Sequence, residues 1–252
     1  MKARGVDEAL GEALDELSRR RPLLLASDYD GVLARLRDDP SAAVPEDGVA
    51  ELLARLAAVD GVTVALVSGR GVDDLQRTSG LTGPFRWVGS HGAEFDGPLT
   101  GELAVRRDEL AAALAPLVDA VPGARLEVKP ASAAVHVRTV ADRAAAARLL
   151  ADAAAGPGAA PDLTAKPGKD VLELAVTDAD KGSALTRLRD ELAATGVLYL
   201  GDDVTDEDGF AALRPGDVGV KVGDGQTAAA HRVPDLAGVR AVLDRLVSAL
   251  HA

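Results

Sequence analysis

The stretch PLLLASDYDGVL, residues 22–33, decides how the rest of the chain is read. Its first half is an unbroken apolar run, the pattern of a strand buried on both faces. Its second half sets two carboxylates, Asp28 and Asp30, two residues apart at the strand's end, with Gly31 behind them. Asp and Gly favour turns, so a simple turn accounts for these residues taken alone. Unpaired charge against so apolar a strand is costly, however. A cation relieves it, and Mg2+ favours carboxylate and carbonyl oxygens.

Outward from this stretch, strands and helices alternate. A helix is expected over 49–59, a second buried strand over 62–67 (VTVALV) and a third over 85–88, which argues for a parallel sheet covered on both faces. The pattern then changes to helix–hairpin–helix–hairpin. Helices are expected over 103–121 and 141–155, with strand pairs 124–128/133–138 and 163–166/171–176, the second pair turning at Pro167–Gly168. From Asp180 the first pattern returns, with a helix over 181–194, strands over 197–200 and 217–222, and a last helix over 236–250. The expected fold is α/β: a Rossmann-like parallel-sheet core, residues 1–97 and 178–252, interrupted by an inserted α+β cap, residues 98–177.

Two further clusters fall where strands end, the edge at which open parallel sheets bind ligands. Ser68-Gly69-Arg70 follows the second strand; a hydroxyl, a flexible backbone position and a guanidinium together suit phosphate, although a small-residue turn explains them singly. Gly201-Asp202-Asp203-Val204-Thr205-Asp206-Glu207-Asp208 follows strand 197–200 and packs five acids into seven residues. Those acids repel one another unless solvent or a cation intervenes. Lys181 opens a helix, where a positive charge meets the positive end of the dipole. Lysine is rare in this chain, so a site that needs a compact ammonium is the better explanation.

Bulk properties limit the partners. The 252 residues carry a net charge of −12, which argues against a nucleic-acid or anionic-membrane partner, since both need a basic surface. There is no cysteine, hence no disulfide and no thiolate metal site. Apolar runs are far shorter than the ~20 residues that span a bilayer. Residues 1–21 place Val6, Leu10, Leu14 and Leu17 at helical spacing among five acids, an amphipathic helix rather than a signal peptide. A cytoplasmic monomer is expected.

DYDGVL, SGR, the helix-start Lys181 and GDDVTDED occur in the order of the four motifs of the haloacid dehalogenase-like phosphatases, and the insertion point matches their α+β-capped branch. More closely, the chain resembles the trehalose-6-phosphate phosphatases. Gly89-Ser90-His91-Gly92-Ala93-Glu94 is similar to that family's GxHGxE segment. Glu127-x-Lys129, His136-x-Arg138 and Gly168-Lys169-x-x-x-Glu173 are similar to its sugar-binding signature. Val32 stands where threonine is commonest, and 174–178 (LAVTD) lacks an Arg-Pro often found there.

The resemblance implies a Mg2+-dependent phosphatase acting on a small-molecule sugar phosphate, trehalose 6-phosphate, through an aspartyl-phosphate on Asp28. Asp30 is then the acid and base, and Lys181 completes the catalytic set. Ser68, Gly69 and Lys181 bind phosphate. Asp28, Asp30 and Asp202 hold the metal, with Asp203 and Asp206 behind them. Arg70, His91, Glu94, Glu127, Lys129, Arg138, Lys169 and Glu173 bind substrate. Sucrose phosphate, a mannosyl phosphate, or binding without turnover are the competing readings.

Overall fold

The computed structural model describes residues 6–251; residues 1–5 of the expected N-terminal helix, and residue 252, lie outside the described residues. The chain divides into two compact units, Met1–Gly97 with Ala179–Ala252, and Pro98–Asp178. The second boundary falls one residue later than the sequence suggests.

The first unit runs α1 (Glu8–Leu17), β1 (Leu23–Ser27), α2 (Val49–Ala57), β2 (Val62–Val67), α3 (Val72–Ser79), β3 (Arg86–Gly89) and β4 (Glu94–Phe95). The second unit holds α4 (Gly101–Asp119), β5 (Arg125–Lys129), β6 (Ser132–His136), α5 (Arg143–Ala155), β7 (Thr164–Gly168) and β8 (Val171–Ala175). The chain then returns to the first unit with α6 (Lys181–Leu192), β9 (Gly196–Gly201), α7 (Asp206–Ala211), β10 (Val218–Val222), β11 (His231–Val233) and α8 (Leu236–Leu250).

The first unit's sheet has the order β11-β10-β9-β1-β2-β3-β4, parallel except for β3–β4. Side chains alternate across it, as the pleat requires. Leu23 and Leu25 face one way with Val64, Leu66, Leu198 and Leu200, packing with Leu14, Leu53 and Leu243 of the helices on that side. Leu24 and Ala26 face the other way with Ala65, Val67, Val197 and Tyr199, against Leu185, Leu188 and Phe210 of α6 and α7. Both faces of β1 are therefore buried, which is why its sequence is uniformly apolar rather than alternating. The chain fills the sheet outward on one side of β1 before α6 and on the other side after it. The topology thus reverses between β1 and β9, and there the C-terminal ends of the two strands lie side by side, with Ser27 opposite Leu200.

In the second unit the sheet order is β5-β6-β8-β7, antiparallel throughout. The sequence placed its second turn at Pro167–Gly168. Both residues instead belong to β7, and the chain reverses at Lys169–Asp170, with Asp170 at φ +59°. Pro167 is tolerated because β7 is an edge strand, where a missing N–H breaks no ladder. The strand expected over 133–138 ends at His136, leaving Arg138 outside it. α3, α7, β4 and β11 were not anticipated; all are short, between two and eight residues.

Candidate active site

The turn after β1 is tied into the sheet. The Asp28 N–H donates to the Leu200 carbonyl at 2.9 Å, and the Tyr29 carbonyl accepts from Leu33 and Ala34 at 2.9 and 3.0 Å. Gly31 sits at φ +77°, in the left-handed region. A Cβ added there would lie 2.0 Å from Asp202 Oδ2, so the turn after β1 and the loop after β9 touch, and only glycine allows it.

Lys181 bridges the two segments. Its side chain is 1% exposed, and Nζ donates to Asp28 Oδ2 and Asp206 Oδ1, both at 2.7 Å. Burial opposes its charge, but the attraction of the two carboxylates prevails and raises its pKa. Its awkward position at the first turn of α6 is thereby explained, and Asp180 and Ser183 cap that helix reciprocally. Asp206 is fully buried and accepts four donors: Lys181 Nζ and Tyr199 OH (2.6 Å) on one oxygen, the Asp202 and Asp203 N–H groups (2.8 and 2.9 Å) on the other.

The two acids that share Lys181 behave oppositely. Burial pushes the Asp28 carboxyl up to about 7, with Lys181 opposing and Asp206 adding to the rise. Asp206 is also penalised by burial, yet Lys181, Tyr199 and the backbone donors hold it below its ordinary value. Among the described residues, the Asp28 carboxylate receives only Lys181 and the Tyr29 N–H. Burial and the neighbouring Asp206 and Asp203 push Asp202 up to about 6, against Lys181 and Lys221. The Asp202 carboxylate accepts no hydrogen bond from the described residues. Asp28, Asp202 and Asp206 each present an oxygen within 4.8 Å of the others. The pocket is short of positive charge, its donors are hard oxygens, and Asp206 is already saturated. Asp28 and Asp202 therefore fit a divalent cation such as Mg2+.

Ser68 is buried at the end of β2, where its N–H donates to the Val88 carbonyl, and its Oγ accepts from the Arg70 N–H at 3.2 Å. Gly69 is kept bare by the His91 ring, which an added Cβ would meet at 2.6 Å. Arg70 was expected among the substrate contacts. Its guanidinium instead grips Asp30 in a fork (2.6 and 2.9 Å), Asp74 (2.9 Å) and the Pro40 carbonyl (2.7 Å), and lies 5.9 Å from the centre of the Tyr29 ring. It orients Asp30. Glu94 is buried and accepts from Val72 N–H and Ser90 Oγ, so it braces the loop around His91 instead of standing free for a sugar. Asp203 is exposed, and its carboxylate accepts from the Val204 N–H.

Within the second unit, one sheet face gathers several of the residues singled out for sugar binding. Cross-strand register sets Glu127 opposite Ala134 and Ala134 opposite Glu173. Glu173 accepts from Lys129 Nζ (2.6 Å) and Ser132 Oγ (2.7 Å), and Glu127 lies 2.7 Å from His136 Nε2 and 3.2 Å from Arg125. Burial opposes both acids, but these donors hold both below the ordinary carboxylate range. Arg138 and Lys169 are exposed and form no such pair among the described residues; the Val137 N–H to Asp170 carbonyl bond brings their segments together beside His136.

Two residues of the first site escaped sequence reasoning. Tyr199 looks like one more apolar strand residue. Lys221, 4% exposed, donates to the Asp202 main-chain carbonyl. Its signal was present: a lone cation in the otherwise apolar strand VGVKV.

Residues 26–234 match the family model described as Trehalose-phosphatase. The chain belongs to the trehalose-phosphatase family. Its relatives in that family include the trehalose-phosphate phosphatase of Mycobacterium marinum, 36% identical over 266 residues, covering 96% of this chain and 65% of that protein. The bifunctional trehalose-6-phosphate synthase/phosphatase of Thermoproteus tenax is 37% identical over 239 residues, covering 91% of this chain and 32% of that one. The chain thus spans about two thirds of the mycobacterial trehalose-phosphatase and a third of the bifunctional one. Among solved structures, the Aspergillus fumigatus trehalose-6-phosphate phosphatase superposes with a TM-score of 0.75 at 26% identity, covering 98% of this chain and 99% of that one.

Proposed function

We propose that this chain is a Mg2+-dependent phosphomonoester hydrolase that converts trehalose 6-phosphate to trehalose and inorganic phosphate. The observation that carries the reading is the buried Asp28–Lys181–Asp206 group with the unpaired Asp202 carboxylate beside it. It supplies a carboxylate nucleophile, a fixed ammonium and room for a divalent ion at one sheet edge.

In this reading an Asp28 carboxylate oxygen attacks phosphorus and forms an aspartyl-phosphate while the bond from phosphorus to the sugar oxygen breaks. Asp30, in its protonated form, gives that proton to the departing sugar oxygen. It then takes a proton from the water that attacks phosphorus, releasing phosphate and restoring Asp28. Ser68, Gly69 and Lys181 bind the phosphoryl oxygens, and Lys181 offsets charge that grows in the transition state. Mg2+, held by the Asp28 and Asp202 carboxylates and the Asp30 main-chain carbonyl, would screen the repulsion between carboxylate and phosphate. The second unit acts as the cap, and Glu127, Lys129, Arg138, Lys169 and Glu173 bind sugar hydroxyls.

Phosphate release should be measured over a panel of sugar phosphates and one aryl phosphate, with and without Mg2+. Trehalose 6-phosphate is expected to be the best substrate. Asp28→Asn should abolish turnover while the fold is kept, and Glu127→Ala should impair the sugar substrate far more than the aryl one. Turnover by a folded Asp28→Asn chain would remove the nucleophile; equal losses on both substrates in Glu127→Ala would remove the sugar-reading role of the second unit.

A further inference from the structure

Lysine is almost never fully buried unless it is paired, because stripping water from an ammonium costs several kcal/mol. Lys221 is buried at the end of β10, where every residue is buried. Its chief partner is not a carboxylate. Nζ donates to the main-chain carbonyl of Asp202, while the nearest acid oxygen, Glu207 Oε1, stands 4.0 Å away. Register places Lys221 beside Gly201, the residue before Asp202.

We propose that Lys221 is a positioning residue, holding the main chain at Asp202 so that the carboxylate stands against Gly31 and beside Asp28, where the divalent ion binds. This rests on the metal-dependent reading above. No hydrogen bond from the described residues orients the Asp202 carboxylate, so its place is set from its own backbone. On one side the Asp202 N–H donates to Asp206 Oδ2 at 2.8 Å, and Asp206 is locked by Lys181 and Tyr199. On the other side the Asp202 carbonyl is held by Lys221. The main chain is held on both sides of the Asp202 Cα, by an acid and by a cation, and the side chain is left for the metal. The residues that follow, Asp203 and Val204, are exposed, and Asp203 is tied by its N–H to the same Asp206 oxygen at 2.9 Å. Glu207 extends the arrangement, since its second oxygen accepts from the Ala228 N–H at 2.7 Å and ties in the loop after β10.

A purely electrostatic role has the opposite signature. Removing a cation from beside an acidic pocket strengthens its attraction for Mg2+, whereas removing a support for Asp202 weakens it. The test is calorimetric titration of Mg2+ into the full chain without substrate, comparing the unaltered protein with Lys221→Met and Lys221→Gln. Glutamine keeps an N–H donor, though on a shorter side chain, and drops the charge. Loss of the support should weaken Mg2+ binding about 10-fold or more in Lys221→Met, the size typical of residues behind metal ligands, with partial recovery in Lys221→Gln. The Mg2+ concentration that half-activates turnover should move by the same factor, while KM at saturating Mg2+ stays put. Circular dichroism in EDTA checks that the variants are folded, and Lys221→Gln carries the test should Lys221→Met not fold. Unchanged or tighter binding in a folded variant overturns the proposal, as does an unaltered chain that binds no Mg2+. Calorimetry needs no substrate, so a chain that fails to hydrolyse trehalose 6-phosphate would refute the proposed function and leave the Lys221 result standing.

Discussion

Stripping the metal should make the protein less stable as pH rises, the reverse of ordinary acid denaturation. The cause is Asp28, whose carboxyl is raised from 3.8 to about 7 by burial, only partly countered by Lys181. An acid that binds its proton more tightly folded than unfolded supports the fold fully below its unfolded pKa. That support is lost as pH climbs towards the folded value. At 1.36 kcal/mol per pH unit the whole effect is roughly 4 kcal/mol, of which about 3 kcal/mol falls between pH 5 and pH 8. Half-buried Asp202, raised to about 6, acts in the same direction. The depressed Asp206, Glu127 and Glu173 titrate below this window. For a chain of this size 3 kcal/mol corresponds to a melting shift of about 10 °C. The assay is thermal unfolding in EDTA at pH 5, 6, 7 and 8, repeated with saturating Mg2+ and with Asp28→Asn. The Mg2+-free Tm should fall across the series. Mg2+ should stabilise more at pH 8 than at pH 5, because it takes the deprotonated site. Asp28→Asn should remove most of the slope. An EDTA-treated protein whose Tm is flat or rising from pH 5 to pH 8 would refute the claim that Asp28 lies in a charge-deficient pocket.

Other outcomes follow from single contacts. Gly31→Ala forces a Cβ into the Asp202 carboxylate and strains a residue at φ +77°; Mg2+ affinity by calorimetry should fall about 10-fold or more, at least the loss typical when the support behind a metal ligand is disturbed. Unchanged affinity would mean that the two loops part without consequence. Tyr199→Phe deletes a fully buried hydroxyl that donates to Asp206 at 2.6 Å, and denaturant unfolding should show a loss of about 1–3 kcal/mol. A neutral result would mean that Asp206 is held adequately by its other donors.

Much of the site was legible because its residues announce themselves against their surroundings. Asp28 stands out after an apolar strand, Lys181 at the wrong end of a helix, and the acids of residues 202–208 by density alone. Lys221 carried the same kind of signal in VGVKV but lacked a motif around it. Tyr199 carried none, since a buried hydroxyl differs from a buried ring only once its partner is known. The short elements α3, α7, β4 and β11 give too few residues for a period to register. Arg70 and Glu94 were singled out by the sequence, but not their partners. A sequence displays a guanidinium or a carboxylate but not the neighbour that occupies it. Here Asp30, Asp74 and the Pro40 carbonyl claim the one, and Ser90 and the Val72 N–H the other.

By itself the sequence determined the class of fold, the longer strands and helices along the chain and the kinds of chemical group at each strand end. Those follow from local pattern: apolar period, turn residues and the cost of charge beside apolar strands. Tertiary structure alone decided which groups meet. Asp28 and Asp206 are 178 residues apart along the chain, and they share one ammonium because β1 lies beside β9 at the reversal of the sheet. The same packing leaves the Asp202 carboxylate without a hydrogen-bond donor among the described residues and gives Asp206 four, a difference that no spacing of aspartates in GDDVTDED encodes.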